Sequence, residues 1–472
     1  MKLALGGVSK DFDSKKSRAE VVNLYPEGDR GGGYKCVKKC DGLTLFATLA
    51  LSPVRSLPFV NGGKVYVVSG TTLYRVDTSG TVETLGVVGG SGKAQIKSNA
   101  IPGANQICVL NGSGQGYIYT AAAGLVQITD VDFFDTTSVT VLDERFWFGR
   151  DDTDEFFGSE ESDGTSYNTL TFGSASESSD NVVAVLQKKS ALWVLGEEGI
   201  EYFQRFDDPD FPLRAVKGGT KEYGILVQDT LAEMNDYFAY LADDRTIRLM
   251  RGTELVELSD LEFQLKVKGN GTSTSPGFST VDDAYGFFVD GPVHSTYYIT
   301  FPTEGYTRGF DLKSGMPHTR ESEGLDYWRV NGAVKFGTKI ICGDSITGQL
   351  WELDPSNRTE NDTLIRTKLV TPSVTFNKNV TISKIEIDME VAQTTDPTIT
   401  AEMMVYYTKN GGNTWINHGP ADVGESGEHD ARVVLRSFGR VVRHKDFALR
   451  LETTDNIGVQ YYGAEIEYEV SI

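Results

Sequence analysis

The strongest constraint on this chain is a recurring unit of short apolar strands separated by Gly, Asn, Asp and Ser, returning about every 40 to 50 residues from Leu51 to residue 355. The segments KVYVVSGTTLYRVD (64–77), SALWVLGEEGIEYF (190–203) and TKIICGDSITGQLWELD (338–354) show it best. Each runs from an apolar strand through a glycine turn into a strand carrying an aromatic residue. Short strands with turn residues between them pair as antiparallel hairpins, and meanders repeated at this period are the signature of propeller blades. The pattern predicts a β-propeller-like array of six or seven meander blades over residues 51–355. Stacked sheets without radial symmetry are the other arrangement it allows.

After LWELDPSNRTENDTL the texture changes, which puts a boundary between residues 355 and 372. Beyond it the strands are longer and alternate cleanly. In KIEIDMEV, Ile385, Ile387, Met389 and Val391 interleave with charged residues, so one face is buried and one is wet. Residues 356–472 therefore read as a C-terminal β-sandwich. The first 50 residues read as an N-terminal arm, polar at Lys15, Lys16 and Arg18, with three consecutive glycines at 31–33 and an apolar density too low for a core of its own. The whole is expected to be all-β, in keeping with 51 glycines against 14 prolines and an aromatic set dominated by 24 Phe and 21 Tyr.

A formal charge of −21 argues against a protein built to grip nucleic-acid phosphates, whose affinity comes from Lys and Arg releasing counterions. The exception is a basic stripe near the C-terminus: Arg432, Arg436, Arg440, Arg443 and Arg450, with His444 and Lys445. It reads either as a wet sandwich face or as a docking surface for an acidic neighbour, such as another copy of the chain. Four cysteines, Cys36, Cys40, Cys108 and Cys342, are too few for a disulfide framework and lack zinc-knuckle spacing, so free thiols are expected. The opening MKLALGGVSKDFDSKK lacks the apolar core of an export signal, and no apolar run approaches the roughly 20 residues that cross a bilayer.

Candidate chemistry is sparse. The histidines, His294, His318, His418, His429 and His444, stand at no metal-ligand spacing and beside no nucleophile, and no GxSxG, phosphate-binding loop or HExxH occurs. Asp151, Asp152, Asp154 and Glu155 lack the glycine and distal Glu of a calcium loop and read as a blade-edge turn. Asp207, Asp208 and Asp210, set among prolines, read as an exposed loop rather than a glycosidase pair. The run from Thr408 to Trp415 is similar to the Asp-box hairpin of sialidase blades, with Thr for Ser and Asn for Asp, and is read as a structural turn. No catalytic residue, cofactor or metal site is expected.

Several stretches, in order along nearly the whole chain, are similar to the tail-hub proteins of short-tailed (podovirus-type) bacteriophages, also called packaged-DNA-stabilisation proteins. They are Gly7 to Phe12, Val22 to Tyr25, Gly149 to Asp154 and on to Gly199 to Phe203, Cys342 to Asp344 with Thr347 and Gly348, and Val434 to Val441 with Phe447 to Arg450. The resemblance implies a non-enzymatic structural protein of the virion tail, assembled in the host cytoplasm as a hexameric ring. It also implies a portal-adaptor (head-to-tail connector) ring above, a tail needle or plug below, and tailspikes or tail fibres around the sides. Such a ring extends the portal-adaptor channel, retains packaged DNA and conducts it on ejection without binding it tightly. A carbohydrate-binding or glycan-hydrolysing tail propeller is the rival reading, and it would need a pocket lined by acids, Arg and Trp.

Overall fold

The strand Lys64–Ser69 reads KVYVVS, apolar without alternation, and its surroundings explain the pattern. Val65 and Val67 enter one buried cluster with Phe336, Ile341 and Leu350, while Tyr66 and Val68 enter another with Ile96, Ile107 and Val109. A strand covered on both faces has no wet side to encode. The computed structural model describes residues 1–470 apart from 4, 6–18, 30–32, 176, 178–179, 209–210, 271–275, 392–400 and 425–430, and it repeats this situation around a ring.

Antiparallel sheets of four main strands span residues 59–87, 95–127, 138–174, 182–215, 232–257, 285–319 and 330–354, the last completed by Gly42–Thr48. Each neighbouring pair encloses its own apolar cluster, and one cluster joins the last sheet to the first. Seven blades with seven buried seams close a circle, which decides for a seven-bladed propeller over unsymmetrical stacking. First strands meet at the centre: Ser138–Leu142 touches Gln95–Ser98 on one side and Val182–Lys188 on the other.

Asp77 follows the third strand of its blade and Asp311 and Asp354 end theirs, and their carboxylates accept N–H groups from the turn. The donors are Ser79 at 2.8 Å and Thr81 at 3.0 Å, Lys313 and Ser314 at 3.1 Å, and Ser356 at 2.8 Å. Asp at such corners supplies the turn's missing acceptor locally. Gly80 in the first of these turns has φ +83°, and a Cβ there would stand 2.5 Å from the Phe46 carbonyl oxygen of blade seven.

The expected arm at residues 1–50 is corrected by the structure. Gly42–Thr48 is the outer strand of blade seven, antiparallel to Gln349–Asp354, so the propeller takes in residues before 51. Leu24–Asp29 and Gly33–Lys39 form a hairpin whose second strand pairs with Val459–Val470, as does Lys2–Leu3. Glu20–Val22 pairs with Thr367–Val370 and, through Val22, with Thr319 of blade six. These strands look independent of any core because each lends only a few side chains, such as Leu24 and Val37, to one built more than 300 residues later. Gly7 to Phe12, Lys15, Lys16, Arg18, Gly31 and Gly32 lie outside the described residues.

The chain leaves blade seven through Thr359–Glu360 and enters a sandwich at Thr367–Val370. One sheet runs in the order Leu24–Asp29, Gly33–Lys39, Val459–Val470, Val380–Val391, Ala431–Val441. The other contains Thr367–Val370, Asp446–Thr453, Glu402–Thr408 and Ile416–Asp422. Between them Ile385, Ile387 and Met389 share a core with Val405, Leu449 and Leu451. Among the described residues the one α-helix is Leu261–Val267, whose Phe263 N–H donates to the Asp260 side chain at 2.8 Å.

Candidate functional site

Strand alternation sorts the basic stripe. Val433, Leu435 and Phe438 of Ala431–Val441 face the core, which leaves Arg432, Arg436 and Arg440 exposed on the outer face. Arg443 follows in a turn, with its backbone N–H donating to Asn379 Oδ1 at 2.9 Å. Arg450 departs from the stripe: it sits in the opposite sheet, donates to Glu452 Oε1 at 2.6 Å and lies 4.7 Å over the Tyr406 ring. A change of sheet between residues 441 and 446, invisible to a count of arginines, separates it from the rest.

Register shows what the three remaining arginines face. Across the sheet, Arg432 stands opposite Asp388, Arg436 opposite Lys384 and Arg440 opposite Thr381. On the far side of the same central strand, Glu465, Glu467 and Glu469 stand opposite Glu386, Lys384 and Thr381. The outer face is therefore graded, basic along one strand and acidic along the other. Lys384 bridges the middle, 2.8 Å from Glu386 and 3.2 Å from Glu467, and it is the main cause of the lowered Glu386 pKa, with Arg432 and Arg436 adding to it.

A second cluster, which sequence reasoning missed, lies where blade six meets the N-terminal hairpin. Arg320 is fully buried, its guanidinium 3.9 Å from the Trp328 ring, and it donates to the Asp41 carbonyl at 3.0 Å and to Tyr25 Oη at 3.4 Å. Trp328 Nε1 donates to Glu360 Oε1 at 3.1 Å. Tyr25 stacks on His294 with ring centroids 4.3 Å apart. His294 lies 3.2 Å from Asp311 and 3.8 Å from Glu27; burial alone would depress its pKa, but the two carboxylates outweigh burial and raise it to about 9. Asn23 completes the seam by donating to the Glu321 and Arg366 carbonyls at 3.0 and 2.8 Å. Residues from positions 23 to 366 converge here, so no local motif could announce it.

The propeller axis holds a cavity of about 330 Å³ lined in part by Lys93, Lys97, Lys188, Asp229 and Glu233. Glu233 of blade five pairs with Lys97 of blade two and, at 3.0 Å, with Lys188 of blade four, so charge bridges the shaft. Burial would raise the Glu233 pKa, yet the two lysines hold it at about 2. Glu233 is committed to two lysines, Lys93 donates to the Asp229 backbone carbonyl at 2.9 Å, and no tryptophan lines the cavity, so it lacks the lining expected of a glycan pocket.

The other motifs are turns. Arg150 pairs with Glu155, and Asp154 accepts from Ser174 Oγ at 2.6 Å. Asp208 accepts the Phe211 N–H at 3.2 Å, while Asp210 lies outside the described residues, as does His429. In the Asp-box-like hairpin, Thr408 Oγ1 accepts the Gly412 N–H at 2.9 Å and Asn410 Oδ1 accepts the Thr414 N–H at 3.0 Å, closing the turn as its side chains imply. The four cysteines are buried; burial pushes the Cys36 thiol to about 11 and the Cys40 thiol to about 12. Among the described residues no group of three or more His, Cys, Asp or Glu is placed to hold a metal ion, and no helix is long and apolar enough to cross a membrane.

Comparison with known proteins yields two family matches. A model described as "Bacteriophage P22 Gp10, beta-propeller" matches residues 8–250, and one described as "Bacteriophage P22 Gp10, beta-sandwich" matches residues 366–469. No curated protein matches. Among solved structures, the Pan2 WD40 domain of Neurospora crassa is 8% identical with a TM-score of 0.41, over 67% of this chain and 96% of that one. BamB from Moraxella catarrhalis is 8% identical with a TM-score of 0.40, over 70% and 93%.

Proposed function

The chain belongs to the bacteriophage P22 Gp10 family, the tail-hub and DNA-stabilisation proteins of podoviruses, and from that premise we propose that it works as a ring of six copies extending the portal-adaptor channel. The protein is a structural component of the virion tail. Plugged, the ring retains packaged DNA; opened, it conducts the genome. A needle or plug docks below and tailspikes or fibres dock around the sides. Subunits fold and assemble in the host cytoplasm.

The observation that carries this reading is charge. A conduit must not bind its cargo, and a chain of net −21 repels phosphates over the short range that salt leaves unscreened. Six copies carry on the order of −120, so positive groups are needed where subunits meet. The exposed Arg432, Arg436, Arg440 and Arg443 supply them.

DNA-filled heads bearing portal and adaptor rings provide the test. Adding the purified chain is expected to make the packaged DNA resistant to nuclease and to hold it inside the head. Continued leakage with the chain bound would overturn the retention role.

A further inference from the structure

Both lateral edges of the outer sheet are open at one end, and their chemistry is opposite. Val380 pairs with Val441 on one side and Val470 on the other, so Arg436–Val441 and Glu465–Val470 flank the central strand at one level. Beyond Ala431–Val441 no described strand continues the sheet, although His418 Nε2 of the opposite sheet bonds the Arg436 carbonyl at 2.7 Å, so the stretch left for another strand is 437–441. On the other side, Gly33–Lys39 pairs with Val459–Val470 only at 460 and 461 and Lys2–Leu3 only at 464 and 465, so no described strand pairs with 467–470.

The basic edge carries Arg436, Arg440 and Arg443 with an exposed Val442, 54% accessible. The acidic edge carries Glu465, Glu467 and Glu469 with Tyr468 and Val470, 39% and 55% accessible. Unpaired strand edges bearing apolar residues are templates for another chain unless something covers them. Here each edge offers the charge the other lacks. Both edge strands run antiparallel to the central strand, so they are parallel to each other. A copy displaced sideways without being turned over therefore brings its basic edge alongside the acidic edge of the first. That is a head-to-tail contact, which builds a ring when its rotation closes and does not build a two-fold dimer.

We infer that the partner of the basic edge is the Glu467–Val470 edge of a second copy of this chain, so that the outer sheet of the sandwich continues from subunit to subunit. The inference rests on the ring reading above and deepens it by naming both halves of the contact. Strand addition supplies backbone pairing, and the Arg and Glu columns set register and direction.

The test uses full-length chains, adaptor rings and two charge reversals. One variant carries Arg436→Glu and Arg440→Glu, and the other Glu467→Arg and Glu469→Arg. Exposed charges contribute little to folding, so both are expected to melt near the wild type. On adaptor rings at low salt, each variant alone has two edges of like sign and is expected to lose at least ten-fold in ring assembly. An equimolar mixture should recover it, because alternating copies again present opposite edges at every seam, and an even-numbered ring accommodates the alternation. The chain carrying all four reversals should also assemble, its edges having exchanged sign. If either variant alone assembles like wild type, or if neither mixture nor fourfold variant recovers, the edge contact is wrong. If the wild type forms no ring, the hub reading itself has failed.

Discussion

A chain starting at residue 50 is expected to aggregate instead of folding, with no cooperative melting transition. Removing residues 1–49 strips the outer strand from blade seven and takes Leu43, Ala47 and Leu49 out of the two seams beside it. It also removes Leu3, Leu5, Val21, Leu24 and Val37 from the sandwich core. Each such large apolar side chain is worth about 2–5 kcal/mol when deleted from a packed interior. The seven Leu and Val side chains among them, lost at once, exceed the roughly 5–15 kcal/mol that holds a domain folded. Circular dichroism and light scattering on the truncated chain check this. A soluble β-rich monomer with a wild-type melting point would mean that the N-terminal strands decorate the two units instead of completing them.

Arg320→Ala is expected to cost about 3–5 kcal/mol, the range for removing one partner from a buried charged network. The guanidinium is the cation over the Trp328 ring and in contact with the Asp41 carbonyl and Tyr25, and Glu360 accepts the Nε1–H of the same Trp328. Alanine leaves a cavity where a planar donor stood and Glu360 with less opposing charge. Arg320→Lys recovers the charge but not the stacked fork and should restore only part of the loss. Chemical denaturation of the three proteins measures it. A shift below 1 kcal/mol for Arg320→Ala would show that the seam between propeller and sandwich does not depend on this residue.

Blades were legible in the sequence because hairpins are local. KVYVVSGTTLYRVD carries its turn glycine, its partner strand and its two-faced burial within 14 residues, and Asp77 closes the next turn. The sandwich was legible for a similar reason, since Ile385, Ile387 and Met389 write the buried face into one strand. What could not be read is whatever depends on distant partners. Tyr25, Asp41, His294, Arg320 and Glu360 carry no shared spacing, and only the return of the chain to its own beginning brings them together. Arg450 was grouped with the stripe because it is near in sequence; a turn at residues 442–445 carries it into the opposite sheet. The acidic edge is not legible because alternating Glu in YYGAEIEYEV reads as an ordinary wet face until register places it across the central strand from the arginines.

The central claim is that this chain is the repeating unit of a ring seated on the adaptor. The measurement that tests it most directly is the mass of the complex formed when the purified chain is mixed with an adaptor ring, compared with the chain alone. Six copies added per adaptor ring is the expected result. A complex with a single copy, a two-fold dimer, or no binding at concentrations where the chain remains folded would contradict it.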